Sequence, residues 1–407
     1  MKWIATREAG LEQLHSYAEH MGRYYAERRN HDEGPPRRNV SQLSPWLHAG
    51  LISEGEVLQT ALSRHSPSSA DKFISEVFWR IYFKGYLEQR PTIWATYCDD
   101  RDDAFRAMRE NSGKTKAYER AISGGTGIEA FDYWAKELVE TGYLHNHARM
   151  WFASIWIFTL KLDWTLGADF FLRHLMDGDA ASNTLSWRWV GGLHTKGKTY
   201  LARASNIARY TADHEEGPLR AEGLSAEAEP LTEQREHSRR AIVLPDGTDA
   251  RKAGQPYALL LHDEAAHHTP LGLEEPPALV ISAARPDARS PERVGELARR
   301  FSKQAVHSGG DAASAEFGCP HVDWTPESSL GAILAKAGLS RVITSYLPVG
   351  WTRDALAPDL QPLRDEDRLI ELVSDLDRAT WPHAKAGFFG VKKIMGDAMR
   401  EVGIGPA

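Results

Sequence analysis

The sequence predicts a multidomain α and α/β protein: an all-helical part over residues 1–213, a linker over 214–240, and a smaller Rossmann-like α/β part over 241–395. Three observations carry this. Apolar residues recur at helical spacing, with no convincing alternating run, as far as Asp213. The stretch HEEGPLRAEGLSAEAEPLTEQREHS is then rich in charge and poor in large apolar side chains. Beyond it the runs YALLLH (257–262), ALVIS (278–282) and RVITSY (341–346) alternate with helical segments at 290–303 and 328–338, the grammar of a partly parallel sheet.

Composition excludes several classes. At 407 residues, 42% hydrophobic and 26% charged, the chain can bury sizeable cores. Cys98 and Cys319 stand far apart with no CxxC, which argues against a disulfide framework, an iron-sulfur cluster or a cysteine-rich zinc site. The start MKWIATREAGLEQ lacks the apolar core of a signal peptide, and Glu8 and Glu12 do not suit a transit peptide. The apolar stretch at 150–160 is too short to span a bilayer, so a cytoplasmic protein with no membrane partner is expected. The first 213 residues are nearly balanced in charge, and the remainder accounts for the net charge of −7. Nucleic-acid binding would therefore need a local patch.

Taken in order, LEQLHSYAEHMGRYYAERR predicts one helix to about Arg29, with Leu11, Leu14, Ala18 and Met21 on its face. A turn-rich loop, NHDEGPPRRNVSQ, leads to Ser44-Pro45, where serine is expected as cap and proline as first helical residue. Ser53 and Glu56 have the spacing of a capping box. Hydroxyls and backbone donors between Arg37 and Ser44 suit either an anionic phosphate or a solvated turn. Residues 70–90 predict a central helix, apolar on nearly every side, with Phe73, Trp79 and Tyr82 on it. Its Glu76 and Arg80 are four apart, which suits a mutual ion pair or a shared polar ligand.

The segment 92–127 is polar and predicts short helices with a solvated connection; SGGTG at 123–127 follows no strand and is no nucleotide fingerprint. A helix resumes at 128–141, and after Gly142 another begins in which Asn146 and Arg149 share a face beside Met150. His145 and His147 suit either a structural role or, clustered with Asn146 and Arg149, a lined pocket. Leu162–His174 predicts the helix that delivers DGDAASNTLSWRW (177–189). Two aspartates around a glycine are a poor helix interior, so this stretch is either a turn backed by core indoles or part of a polar cofactor site. An irregular strap, GGLHTKGKTYLARASNIARYT, follows. Among His262, Asp263, Glu264, His267 and His268 a solvated polar loop is expected rather than a divalent ion, and no metal site is assigned. No Walker loop, GxSxG elbow, HExxH motif or internal repeat is present.

Four ordered blocks give these residues a more specific meaning: Tyr25 with RRN and VSQLSPWL, FxxEVFWRxYF, TGYLHNHARM, and DGDAASNTLSWRW. Together they resemble the helical FAD-binding domain of the photolyase and cryptochrome family. The resemblance implies FAD as cofactor, held by Tyr25, Ser41, Gln42, Leu43, Ser44, Phe73, Arg80, Asn146, Arg149, Asp177, Asp179 and Asn183. Ser41 and Ser44 would receive its phosphates, Arg149 would pair with Asp177, and Asn183 would stand opposite flavin N5. Val40 replaces a frequent threonine and Phe73 a frequent tryptophan. Glu76, Trp79, Met150 and Trp189 would line the pocket for a flipped pyrimidine dimer.

Trp187 and Trp164 resemble the inner and middle members of the tryptophan chain that reduces photoexcited FAD. Ala121 stands where the outer member is expected; Trp134, Trp151, Trp156 or Tyr118 are alternative exits among which spacing does not choose. His147 replaces a usual arginine. The α/β part follows the flavin part instead of preceding it and is weakly similar to the family's antenna domain, with a second chromophore left unknown. WPHAKAGFF (381–389) resembles a linker or docking strap.

The activity implied is light-driven repair of cyclobutane pyrimidine dimers in damaged DNA, with Arg37, Arg38, Arg188, Lys196 and Lys198 positioning phosphates. The alternative is a cryptochrome-like blue-light receptor with a signalling partner. Oligomeric state is left open.

Overall fold

A computed structural model describes residues 3–215, 217–245 and 254–405. The helices of the first half gather around one long member, Pro67–Glu88, which Ser66 caps by accepting from Ser69 N and Pro67 opens at a position needing no amide. Phe73, Ile74, Val77, Phe78, Ile81 and Tyr82 bury one half of its circumference, and Trp79, Phe83 and Tyr86 on the other side are half-buried. At Gly85 a Cβ would lie 2.7 Å from the Trp381 ring, so glycine lets that indole rest on the helix backbone. The preceding helix, Glu54–Arg64, has the expected capping box, with Glu56 accepting from Ser53 N at 2.8 Å.

Three local expectations are corrected. The first helix is broken into Arg7–Tyr17, a 3-10 turn at Ala18–His20, and Arg23–Arg28. At the break, Gly22 brings the backbone so near His65 that a Cβ would sit 2.5 Å from its ring. Ser44 is the first residue of the five-residue helix Ser44–His48 rather than its cap; Leu43 holds the cap position and makes no side-chain bond. The polar segment 92–127 forms two substantial helices, Thr92–Arg109 and Ser112–Ile122. Asn111 restarts the second by accepting from Gly113 N and Lys114 N at 3.0 Å.

Segment 217–240 contains neither helix nor strand, yet it is laced onto the helical surface. Leu219 and Ala221 are buried, and Arg188 holds Glu233 at 2.5 Å. The sheet beyond is parallel throughout. It comprises β1 (Tyr257–His262), β2 (Leu279–Ala283), β3 (His321–Asp323), β4 (Arg341–Ser345) and β5 (Leu369–Leu372), in the order β3-β2-β1-β4-β5. The apolar runs correspond to β1, β2 and β4; the two edge strands are additions that the sequence reading lacked. The helix expected at 290–303 spans Glu296–Phe317, because Ser290 and Pro291 belong to the preceding turn.

Strand alternation explains how the halves join. Ala258 and Leu260 face a core with Leu356 and Leu360, whereas Leu259 and Leu261 face a core shared with Leu14, Leu58 and Phe78 of the first half. A separate core of the helical half contains Phe131, Trp151, Trp156, Leu185 and Trp187. At the carboxyl ends of β1 and β4, where open α/β sheets commonly leave a ligand crevice, the long helix is inserted. Glu88 accepts from Val349 N at 2.5 Å and from Arg353 at 2.6 Å, and Lys84 pairs with Glu264 at 3.2 Å.

Candidate flavin and substrate cavity

A cavity of about 520 Å³ opens in the helical half, within the roughly 300–1,000 Å³ of ligand pockets. Five separated stretches supply its walls. Tyr25 and Arg29 come from the second short helix and its end, Val40–Ser44 from the turn-rich loop, and Phe73, Glu76, Trp79 and Arg80 from the long helix. Asn146, Arg149 and Met150 come from the helix Asn146–Ser154, and Asp177, Ser182, Asn183, Trp187 and Trp189 from the stretch around the helix Ala180–Val190.

The loop is held from behind. Gln42, at φ 53°, folds back so that its Nε2 donates to the carbonyls of Pro36 (2.8 Å) and Arg37 (3.1 Å), and Gln13 occupies the Ser41 carbonyl at 2.9 Å. Arg149 spans the cavity floor, donating from Nε to Leu144 O at 3.0 Å and from Nη2 to Asp177 at 3.0 Å. Burial alone would raise the Asp177 carboxyl, but the Arg149 guanidinium and a hydrogen bond from Ser44 outweigh it and keep Asp177 below the usual range. The Asn183 side chain is fixed by donation from Nδ2 to Ala168 O at 2.8 Å. Beside these, burial pushes His145 down to about 3 and His147 down to about 4, so both rings are neutral near pH 7.

Glu76 and Arg80 do not pair with each other. Glu76 binds Arg29, 47 residues upstream, while Arg80 meets Glu54 at 3.7 Å. Asp179 and Trp164 lie outside the cavity wall. Asp179 caps the helix that follows, accepting from Ser182 N at 2.6 Å, and its second oxygen faces His48 (3.7 Å) and Lys84 (3.9 Å). His48, Asp179 and Glu264 are near enough to share a cation, and the Lys84 ammonium supplies that positive charge. Trp164 is half-buried and packs on Tyr97 at 5.7 Å.

Trp187 contacts Trp156 edge-on at 6.2 Å, an approach that Gly167 permits, and Trp156 contacts Tyr118 at 6.0 Å. Trp134 and Trp151 instead stack on each other at 5.5 Å. Two of the five proposed phosphate contacts are withdrawn. Arg37 is buried between Asp32 and Glu137, and Arg188 is buried against Glu233; Arg38, Lys196 and Lys198 are exposed. The loop after β1 is likewise not solvated: His262, Asp263, His267 and His268 are buried where it docks on the first half, with Ala266 N donating to Ala49 O at 2.8 Å.

Arg29, Tyr143 and His194 also line the cavity without having been assigned a role from sequence. Arg29 sat within the quoted RRN, but only its long-range pairing with Glu76 distinguishes it from its neighbours. The donor set suits a large, polar-ended aromatic cofactor: aromatic and aliphatic walls carry buried groups with no hydrogen-bond partner at Arg80 Nη2, Ser182 Oγ and Trp187 Nε1.

Comparison with known proteins agrees. Residues 73–217 match the family described as the FAD binding domain of DNA photolyase. The chain is 36% identical over 157 residues to a deoxyribodipyrimidine photo-lyase of Streptomyces griseus, covering 38% of this chain and 33% of that one. It is 33% identical over 193 residues to one from Agrobacterium fabrum, covering 47% and 39%. A solved bacterial class III photolyase from Agrobacterium tumefaciens aligns at 28% identity and TM-score 0.44, over 52% of this chain and 44% of that one. The chain spans between about a third and under a half of the length of the curated relatives it matches. Over residues 73–217 the chain is thus similar to the FAD-binding domain of DNA photolyase.

Proposed function

We propose that the chain repairs cyclobutane pyrimidine dimers in DNA in a light-driven, FAD-dependent reaction. The observation that carries this is the convergence of Glu76, Trp79, Met150 and Trp189 on the same cavity as Arg149, Asp177 and Asn183. A cavity serving FAD alone would have less use for that second set. When bound, FAD would supply the light-activated electron that splits the dimer.

The protein's own part is binding and orientation. Ser41, Ser44 and the adjoining loop would take the phosphates; Tyr25, Leu43 and Phe73 would bound the cofactor. Arg80, Asn146, Arg149 and Asp177 would hold the polar parts of the cofactor, with Asn183 beside the flavin ring. Asp179 supports this wall through its cap. Trp79, Met150 and Trp189 would exclude water from an extruded dimer, and Glu76 would hydrogen-bond it, sharing its carboxylate with Arg29. Arg38, Lys196 and Lys198 are the remaining candidates for phosphate contacts.

The relevant experiment compares wild type with Glu76→Gln, both with reduced FAD, on dimer-containing DNA under blue light. Repair is expected to fall about tenfold while FAD retention is unchanged. Equal repair by both proteins would remove Glu76 from the reaction.

A second reading, a blue-light receptor or partner-binding flavoprotein, is favoured by one specific contact. Phe388 stacks on Trp79 at 4.1 Å with a 12° interplanar angle, covering a face of the proposed dimer wall. Repair would require this strap to be compatible with the bound lesion, whereas a receptor would not.

A further inference from the structure

A group of side chains unrelated to the cavity meets at the exposed edge of the sheet. His307 and Asp311 are four apart on the helix Glu296–Phe317 and share one face; His321 and Asp323 are two apart on β3 and share another. Ligand atoms of His307, His321 and Asp323 all lie within 4.8 Å of one another. His307 Nδ1 is 3.1 Å from Asp323, and His321 Nε2 is 3.8 Å from it. Four ligands around an ion at about 2.0–2.1 Å are separated by roughly 3.3 Å, so small rotations would bring these three to bonding distance.

The surroundings favour a particular assignment of roles. Asp311 lies 2.9 Å from Nδ1 of His321 and orients the ring, with Nε2 between Ser282 Oγ at 2.8 Å and Asp323 at 3.8 Å. A carboxylate behind a ligating imidazole is the usual support for a metal-bound histidine. Ser282 Oγ donates to Val306 O at 3.0 Å and so accepts from His321 Nε2–H at 2.8 Å; an ion bound here would take the place of that Nε2 proton, with Ser282 as the inner wall. The helix is cut away to admit the ring: a Cβ at Gly310 would lie 2.2 Å from His321 Nε2 and 2.4 Å from Ser282 Oγ. His307 and Asp323 are exposed, so solvent can supply a fourth ligand.

The geometry points to a binding site for one zinc-class divalent cation, ligated by His307, His321 and Asp323 with Asp311 as the positioning residue. The mixed imidazole and carboxylate donors select a borderline transition ion over calcium or magnesium, which prefer oxygen alone. The bound ion fastens the three-residue edge strand β3 to the helix behind it.

The test is equilibrium dialysis of the full chain against Zn²⁺ in the presence of a chromogenic competitor, repeated with Co²⁺ to read its visible spectrum. One ion per chain is expected, with an intense tetrahedral Co²⁺ band and a rise in melting temperature. His307→Asn and Asp323→Asn, both at exposed positions, should each weaken binding more than about tenfold, and Asp311→Asn about 10-fold or more. Exposed His15→Gln should leave affinity unchanged. No stoichiometric binding, unchanged affinity in the His307 and Asp323 variants, or loss on His48→Gln instead would overturn the assignment.

Discussion

At Glu76 a single carboxylate belongs to two arrangements: the structure gives it Arg29, while the proposed reaction asks it to face a pyrimidine. The pair is partly exposed, so giving up one oxygen costs little stability. Trp187 presents a similar choice. Its aromatic contact leads through Trp156 to Tyr118, whose hydroxyl accepts from Arg173 at 2.7 Å. If that is the electron route, Trp156→Phe should slow photoreduction of bound FAD several-fold, and Trp134→Phe should not. Transient absorption after a blue flash reads the difference; equal slowing by both would exclude this route. Sequence spacing could not choose among these aromatics because the choice depends on ring contacts between residues 31 and 38 positions apart.

The elements show what was legible and why. Pro67–Glu88 could be read because its serine cap, opening proline and apolar circumference are local features. Strand β1 could be read because all six residues are buried. Strand β3 could not: its His-Val-Asp sequence is half-buried or exposed and has no apolar run. The cavity lining was largely legible as motifs, whereas Asp179 was placed in it by resemblance and lies behind it as a helix cap. The segment after Trp381 is anchored by Tyr82 donating to Ala386 O at 2.6 Å and by Lys392 at 3.6 Å from Asp71. Phe388→Ala should therefore uncover Trp79 while leaving the strap attached, at a stability cost of at most about 3–5 kcal/mol. If the strap restricts the lesion pocket, this variant repairs faster or binds dimer-containing DNA more tightly; unchanged DNA affinity, read by fluorescence anisotropy, would show that the strap leaves the pocket open.

Across the whole molecule, buried histidines set the response to acid. Burial pushes His145 down to about 3, and His147, His174, His194, His262 and His267 down to about 4. Unfolding lets these rings regain an ordinary value near 6.5, so the unfolded chain binds more protons between about pH 6.5 and 4, and stability falls as pH falls through that window. Burial raises the carboxyls of Asp169 to about 6 and of Asp377 and Glu137 to about 7, which acts in the opposite sense, but the six histidines outnumber these three. Melting temperature should therefore decline steadily from pH 7 to pH 5; a rise over that interval would contradict the assignment of neutral buried rings.

At the scale of the whole molecule, the proposed repair requires the cavity residues Arg149, Asp177 and Asn183 and the wall of Glu76, Trp79, Met150 and Trp189 to serve one reaction despite the Phe388 ring lying on Trp79. The most direct measurement is thymine restored in dimer-containing DNA by the full chain carrying reduced FAD, in blue light and in darkness, with the flavin spectrum recorded on the same sample. The account predicts light-dependent restoration with the flavin still bound. Bound, photoreducible flavin with no thymine restored would contradict it.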